Sequence, residues 1–345
     1  MALLDLLGRP LRNLRLSVTD RCNLRCEYCM PEENYVWLPR EDVLHFEEIS
    51  ALVDVFLSLG VNRLRLTGGE PLLRRDVASL VRMLSKKPGI GDLAMTTNGI
   101  LLADHIEDLD RAGLRRITIS LDTLQRDRFM AISRFDELDR VKEGIDAARR
   151  VFGGGAPGRI KIDTVVIKGV NDAELVDLIE YGKTMNAEVR FIEYMDVGGA
   201  TQWSPGRVLS RAEMLERLSR HYGAVTPIVE DGSSAPADRF ALADGTVFGV
   251  ISSTTTPFCR TCDRSRVTAD GMWFLCLYAT SGVDLRGALR RGASPADLAA
   301  TIVDGWRRRA DRGAETRLAL GDRRAFVPVN ALRQDPHLEM HTRGG

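Results

Sequence analysis

Short apolar runs and amphipathic stretches alternate through the first two thirds of the chain. Runs at 13–18, 63–67, 92–96, 116–121, 161–167 and 189–194 read as strands. Between them, 46–59, 76–84, 103–112, 138–151 and 172–185 carry apolar residues at helical spacing. Alternation of this kind predicts a parallel sheet. Six units, with no dinucleotide fingerprint opening the first, predict an α/β fold built as a partial (β/α)6 TIM-like barrel, two units short of a complete one. Beyond residue 200 the pattern changes. Ser210-Arg-Ala-Glu213 is a capping box opening a helix that ends near Gly223. Residues 231–238 are rich in Gly, Ser, Ala and Pro and read as a loop. Short β-like runs follow at 247–252, 266–268 and 273–277, and Ser294-Pro295 opens a helix through Trp306. These changes predict a barrel over residues 1–235 and a smaller C-terminal region over 236–345 that closes it.

Composition narrows the class. The 345 residues are 44% apolar, enough for a sizeable core, and 48 Lys and Arg balance 48 Asp and Glu. The balance argues against a general nucleic-acid binder, so any anion site is local. No run is long and apolar enough to span a membrane. Residues 1–8 form a short apolar run broken by Asp5, without the basic start of a signal peptide. A soluble cytoplasmic protein is therefore expected. In a reducing cytoplasm its six cysteines read as metal or redox ligands rather than as disulfides.

The cysteines form two triplets. The first, Cys22-x3-Cys26-x2-Cys29, follows the first strand and so sits at the C-terminal mouth of the barrel, where sites of this architecture lie. Three thiolates can hold three irons of a [4Fe–4S] cube and leave the fourth open to chelate a small molecule. Zinc, the alternative, wants four ligands, and the nearest histidine, His45, is not at ligand spacing. C-x3-C-x2-C with Tyr28 before the last cysteine resembles the signature of the radical SAM superfamily. The resemblance implies that S-adenosylmethionine (SAM) binds the open iron and is cleaved by an electron from the cluster to methionine and a 5′-deoxyadenosyl radical.

Other strand ends carry unusual clusters: Thr67-Gly-Gly-Glu70-Pro71, Thr96-Thr97-Asn98-Gly99, Ser120-Leu-Asp122 and Glu193-Tyr-Met195. Each alone is as well explained by a turn or helix cap, but together they mark one rim. In the superfamily the GGEP motif contacts the SAM amino group, and the resemblance places Tyr28, Gly69, Ser120 and Met195 around SAM.

The second triplet is Cys259-x2-Cys262-x13-Cys276, and the Asp270-Gly271 turn between its parts returns Cys276 toward the first pair. It is one ligand short of a zinc ribbon unless a distant residue joins, so a second [4Fe–4S] cluster with an open iron is favoured and zinc remains the alternative. Arg264 and Arg266 flank Ser265, and on an extended run both guanidinium groups point to one side, suited to phosphate oxygens. Phe258-Cys-Arg-Thr-Cys262-Asp-Arg264-Ser-Arg266 and Cys276-Leu-Tyr are similar to the C-terminal signature of the radical SAM GTP cyclases of molybdenum cofactor biosynthesis. Gly8-Arg-Pro, Leu14 to Cys22, Lys168-Gly-Val-Asn-Asp172 and the terminal Gly344-Gly345 extend the match along nearly the whole chain.

That resemblance implies a lyase that cyclises GTP between C3′ and C8. It uses two [4Fe–4S] clusters, and the second holds guanine through its open iron. GTP contacts would come from Arg15, Arg65, Thr96, Lys161, Arg264, Ser265 and Arg266, with Arg15, Arg264 and Arg266 also catalytic. It further implies a reducing electron donor and transfer of product to a cyclic pyranopterin monophosphate synthase, and it allows a homodimer. In the family the Gly-Gly tail enters the active site; here Arg343 stands where an apolar residue is expected. Gly153–Gly158 fits G-x-G-x-x-G, but it lies after a helix and before a strand, the reverse of the dinucleotide order, and no P-loop is present. A peptide maturase of the same superfamily, a two-cluster electron carrier and a zinc-binding nucleic-acid module are the competing readings.

Overall fold

The computed structural model describes residues 2–155, 158–230 and 232–344. The six expected strands are present as β1 (Asn13–Ser17), β2 (Arg63–Thr67), β3 (Asp92–Thr97), β4 (Arg116–Ser120), β5 (Ile160–Val166) and β6 (Glu188–Glu193). Each pairs parallel with the next. The helices between them are α1 (Phe46–Ser58), α2 (Val77–Ser85), α3 (Leu102–Arg111), α4 (Arg126–Ser133), α5 (Leu138–Phe152) and α6 (Leu175–Thr184). Alternation decides what each strand face meets. Leu14, Leu16, Leu64 and Leu66 join the core cluster shared with the helices, while Arg15 and Arg65, in register on β1 and β2, take the opposite face toward the lumen. The Gly153–Gly158 segment lies between α5 and β5, and its Ala156 and Pro157 are outside the described residues.

The remainder comprises α7 (Arg211–Tyr222), β7 (Val225–Ile228), β8 (Asp238–Leu242), β9 (Val247–Ile251), β10 (Arg264–Val267), β11 (Met272–Phe274), β12 (Val283–Asp284), α8 (Leu285–Arg290), α9 (Pro295–Arg307), α10 (Gly313–Leu318) and α11 (Val329–Gln334). The helix at 211 starts as expected: Ser210 and Glu213 close a reciprocal capping box. Ser294 and Asp297 do the same for α9, with Pro295 at its first position. The Asp270-Gly271 turn also forms, joining β10 and β11 as an antiparallel hairpin. Asp238, expected in a loop, instead begins β8, and Asp231 lies outside the described residues.

β9 and β10 extend the sheet at its two edges. β9 lies parallel to β6, and β10 lies parallel to β1. The C-terminal region thus adds a parallel strand to each edge of the six-stranded sheet, and the order reads β12-β11-β10-β1-β2-β3-β4-β5-β6-β9-β8-β7. Eight consecutive parallel strands result, of which the outer two come from beyond residue 246. Among the described residues no helix is long and apolar enough to cross a membrane.

Candidate active site

The turn that carries the first triplet leaves β1 and is held from several sides. Cys29 N and Met30 N both donate to the Cys26 carbonyl, at 3.0 and 2.7 Å. The end of α4, a helix not anticipated from sequence, supplies the carbonyls of Ser133 and Ile132 to Arg25 N and Glu27 N at 3.0 and 2.9 Å. Gly199 presses against the far side so closely that a Cβ there would overlap the Cys29 carbonyl. Burial pushes all three thiols above their usual range, Cys22 to about 11. They become thiolates only against cationic charge such as that of irons. Among the described residues no three His, Cys, Asp or Glu side chains converge as ligands of one ion. A [4Fe–4S] cube places each thiolate on a different iron, a role that the three thiols of this loop can fill.

The second triplet approaches from the β9–β10 connection. Cys259 opens a short 3-10 turn, Cys262 precedes β10, and Cys276 follows β11. Around Cys262 the electrostatics reverse. Burial raises its thiol, but the guanidinium groups of Arg264 and Arg309 outweigh that and bring it down to about 6. Arg264 Nη2 lies 3.3 Å from its sulfur.

Both triplets open onto one cavity of about 330 Å3, a volume suited to a small-molecule ligand. All six cysteines line it, as do Tyr28, Gly69, Ser120 and Met195, the residues assigned to SAM by resemblance, and Arg15, Thr96, Arg264 and Arg266 from those assigned to GTP. Tyr28 donates to Asp122 at 2.7 Å, and Val165 N donates to the same carboxylate at 2.9 Å. The Asp122 pair thereby ties the cysteine loop to the ends of β4 and β5.

Arg65, Lys161 and Ser265 are not among the lining residues. Arg65 donates to Thr96 and Thr118 at 3.0 and 2.9 Å, and Lys161 pairs with Glu188 at 3.1 Å. Ser265 takes the opposite face of β10 from the two arginines and is fully buried. Glu70 also turns away from the cavity: Leu72 N, Thr97 Oγ1 and Asn98 N donate to it at 2.9, 2.7 and 2.7 Å, bracing β2 against β3.

The arginines form a crowded cationic floor. Arg15 stands beside Arg266 in adjacent strands, and burial first, then Arg266 and Arg264, drive it well below its usual value. Burial and Arg264 bring Arg266 to about 10, and burial, Arg15 and Arg190 bring Arg65 to about 9. Burial and mutual repulsion make these cations receptive to anionic charge, part of which comes from the Asp163 carboxylate that also lines the cavity.

The tail comes back into this cavity. The Gly344 carbonyl accepts from Arg15 and Arg266 at 3.2 and 3.1 Å, and Gly344 has φ +66°, where a Cβ would overlap Thr67 Oγ1. Gly345 lies outside the described residues. Arg343 fits its apolar setting by stacking on Phe274 at 4.3 Å and donating to the Leu277 carbonyl at 2.7 Å. His341, distant in sequence from both triplets, also lines the cavity. It is buried, with neither ring nitrogen partnered among the described residues. The spacing arguments missed it, as they missed Arg309, because nothing local in sequence ties either residue to a cysteine.

Known proteins resemble this chain in sequence and in fold. The family model of the Radical SAM superfamily matches residues 16–182, and that of Molybdenum Cofactor Synthesis C matches residues 187–315. GTP 3′,8-cyclase 1 of Mycobacterium tuberculosis (strain CDC 1551 / Oshkosh) is 58% identical over 99% of this chain and 95% of its own length. GTP 3′,8-cyclase of Acidothermus cellulolyticus is 46% identical over 91% of this chain and 88% of its own. The crystal structure of Streptococcus suis SuiB bound to S-adenosylmethionine superposes with a TM-score of 0.58 at 15% identity, covering 86% of this chain and 68% of that one, which shows a shared fold.

Proposed function

The chain belongs to the GTP 3′,8-cyclase family of radical SAM enzymes, and from that premise we propose how its residues divide the work. The family's reaction converts GTP to (8S)-3′,8-cyclo-7,8-dihydroguanosine 5′-triphosphate, the first step of molybdenum cofactor biosynthesis. When bound, SAM and the [4Fe–4S] cluster of a radical SAM protein supply the reductive cleavage that starts this chemistry.

The observation that carries the assignment is that both cysteine triplets and three arginines face a single cavity. Cys22, Cys26 and Cys29 hold the SAM-binding cluster, with Tyr28, Gly69, Ser120 and Met195 around SAM. Cys259, Cys262 and Cys276 hold a second [4Fe–4S] cluster beside the nucleotide. Arg15, Arg264 and Arg266 grip the triphosphate and stabilise charge during the reaction, and Thr96 joins them from β3. Arg65 and Lys161 act from a layer deeper in the lumen, and Ser265 serves by holding its two neighbours on the cavity face of β10. Fixing the phosphates orients the ribose, because a reactive radical must meet its target atom before it meets protein. Gly344 reaches the same arginines and narrows the mouth with backbone alone, which fits the tail into the reading as part of the site.

The region 1–235 then carries SAM chemistry together with Arg15 and Thr96 of the nucleotide side, and 236–345 adds the second triplet, Arg264 and Arg266. Their boundary falls in the connection between β7 and β8, so the two are divisions of labour within one sheet. A reducing electron donor and a downstream cyclic pyranopterin monophosphate synthase complete the reading. Iron and sulfide analysis with EPR tests it. Eight irons per chain are expected, with one signal perturbed by SAM and another by GTP. Four irons, or zinc in the second set, would overturn the two-cluster assignment.

A further inference from the structure

A charged group sits behind the Cys259–Cys262 turn, on the side away from the cavity. Asp5, Arg9 and Arg309 are all buried. Arg9 Nε donates to Asp5 at 2.6 Å, and its Nη1 donates to the Cys259 carbonyl at 2.8 Å. Arg309 shares the same carboxylate at 3.3 Å. Its Nη1 donates to the Cys262 carbonyl at 2.8 Å, and its Nη2 lies 3.5 Å from the Cys262 sulfur. Trp306 sets the guanidinium plane, with Arg309 stacked over its ring at 4.5 Å, while the indole N–H donates to the Arg9 carbonyl at 3.1 Å. The N-terminal segment, the end of α9 and the cysteine turn are thus fastened together through two guanidinium groups.

Charge counting separates this from a plain structural brace. One carboxylate contacts both guanidinium groups, and the other buried carboxylate beside this turn, Asp263, is held by Asn13 and Ser234 instead. A buried charge is costly unless an opposite charge meets it. One Asp–Arg pair would suffice to pin the N-terminal segment. The second guanidinium instead points at the cysteine sulfur, which Arg264 approaches from the cavity side. The second positive charge is therefore matched to a thiolate carrying cluster charge.

We infer that Arg309, held in place by Asp5 and Arg9, is a positioning residue for the second cluster, fixing the Cys259–Cys262 turn and donating an N–H to the Cys262 sulfur. Reduction adds negative charge to a cluster, and a cationic donor on a ligand sulfur stabilises that state, so Arg309 raises the reduction potential of this cluster and not of the one on Cys22, Cys26 and Cys29. The inference rests on the two-cluster reading.

The test compares the reconstituted holoenzyme with Arg309→Gln and Arg309→Lys, following the midpoint potential of each cluster by EPR-monitored redox titration beside iron content. Arg309→Gln is expected to lower the potential of the GTP-perturbed cluster and leave the SAM-perturbed cluster unchanged. Arg309→Lys, which keeps the charge, is expected to fall between Gln and parent. The downward sign separates this role from loosened packing, which admits water and raises the potential of a cluster. Eight irons with a parental or raised potential in Arg309→Gln would overturn the inference alone. If Arg309→Gln does not retain the second cluster, a parental potential in Arg309→Lys overturns it. Four irons in the parent would remove the two-cluster reading and this inference with it.

Discussion

Gly199 shows how much of the first cysteine loop depends on a residue that carries no chemistry. It lies 170 positions after Cys29, yet a Cβ there would overlap the Cys29 carbonyl and come within 3.0 Å of Glu339 Oε2. Gly199→Ala is therefore expected to displace the loop at a cost of about 1–3 kcal/mol, typical of overpacking. Iron should fall toward four per chain and SAM cleavage should fail, while the GTP-perturbed EPR signal persists. Retention of all eight irons with parental SAM cleavage would contradict this packing account. The cysteines themselves were legible because their spacing is local. Gly199, His341 and Arg309 were not, because each acts through a contact that only the folded chain makes.

At the scale of elements, the returning tail is the least conventional part. His337 lies between two carboxylates, with Nε2 2.8 Å from Asp270 and Nδ1 2.9 Å from Asp335. Burial pulls the imidazole down, but hydrogen bonds to and charge from Asp270 and Asp335 outweigh it and leave His337 above its usual value of 6.5. A group raised in the folded state contributes stability that is fully present below its unfolded pKa and lost as pH rises through its folded one. The tail is accordingly expected to hold firmly below pH 6.5 and to loosen above it. Hydrogen exchange over 335–344, corrected for intrinsic rates, measures this. Protection should drop with rising pH in the parent and drop less in His337→Gln, where Glu339, pushed up to about 7 by burial and by Glu32, still titrates in the same direction; equal pH profiles in the two would contradict it. Several elements here escaped sequence reading for identifiable reasons. α4 opens with Arg126-Asp-Arg and offers only a short apolar set, Phe129, Met130 and Ile132, too few turns for a clear helical period. β8 emerges directly from a stretch of Gly, Ser, Ala and Pro whose turn signals mask it.

Across the whole molecule, the central arrangement is the return of the C-terminal region to both edges of the barrel. β1 through β6 were legible from alternation, since buried parallel strands and amphipathic helices have different periods. The placement of β10 beside β1 was not, because it joins residues some 250 positions apart and no local pattern encodes such a pairing. That pairing sets Arg264 and Arg266 beside Arg15, and it brings both triplets to one cavity. We propose that radical formation and nucleotide cyclisation occur in this shared space. The most direct measurement is anaerobic incubation of the reconstituted protein with SAM, reductant and GTP deuterated at C3′. Deuterium is expected to appear in 5′-deoxyadenosine, together with a new nucleotide that has lost the C8 aromatic proton signal. Formation of 5′-deoxyadenosine without deuterium, and with GTP recovered intact, would contradict the claim.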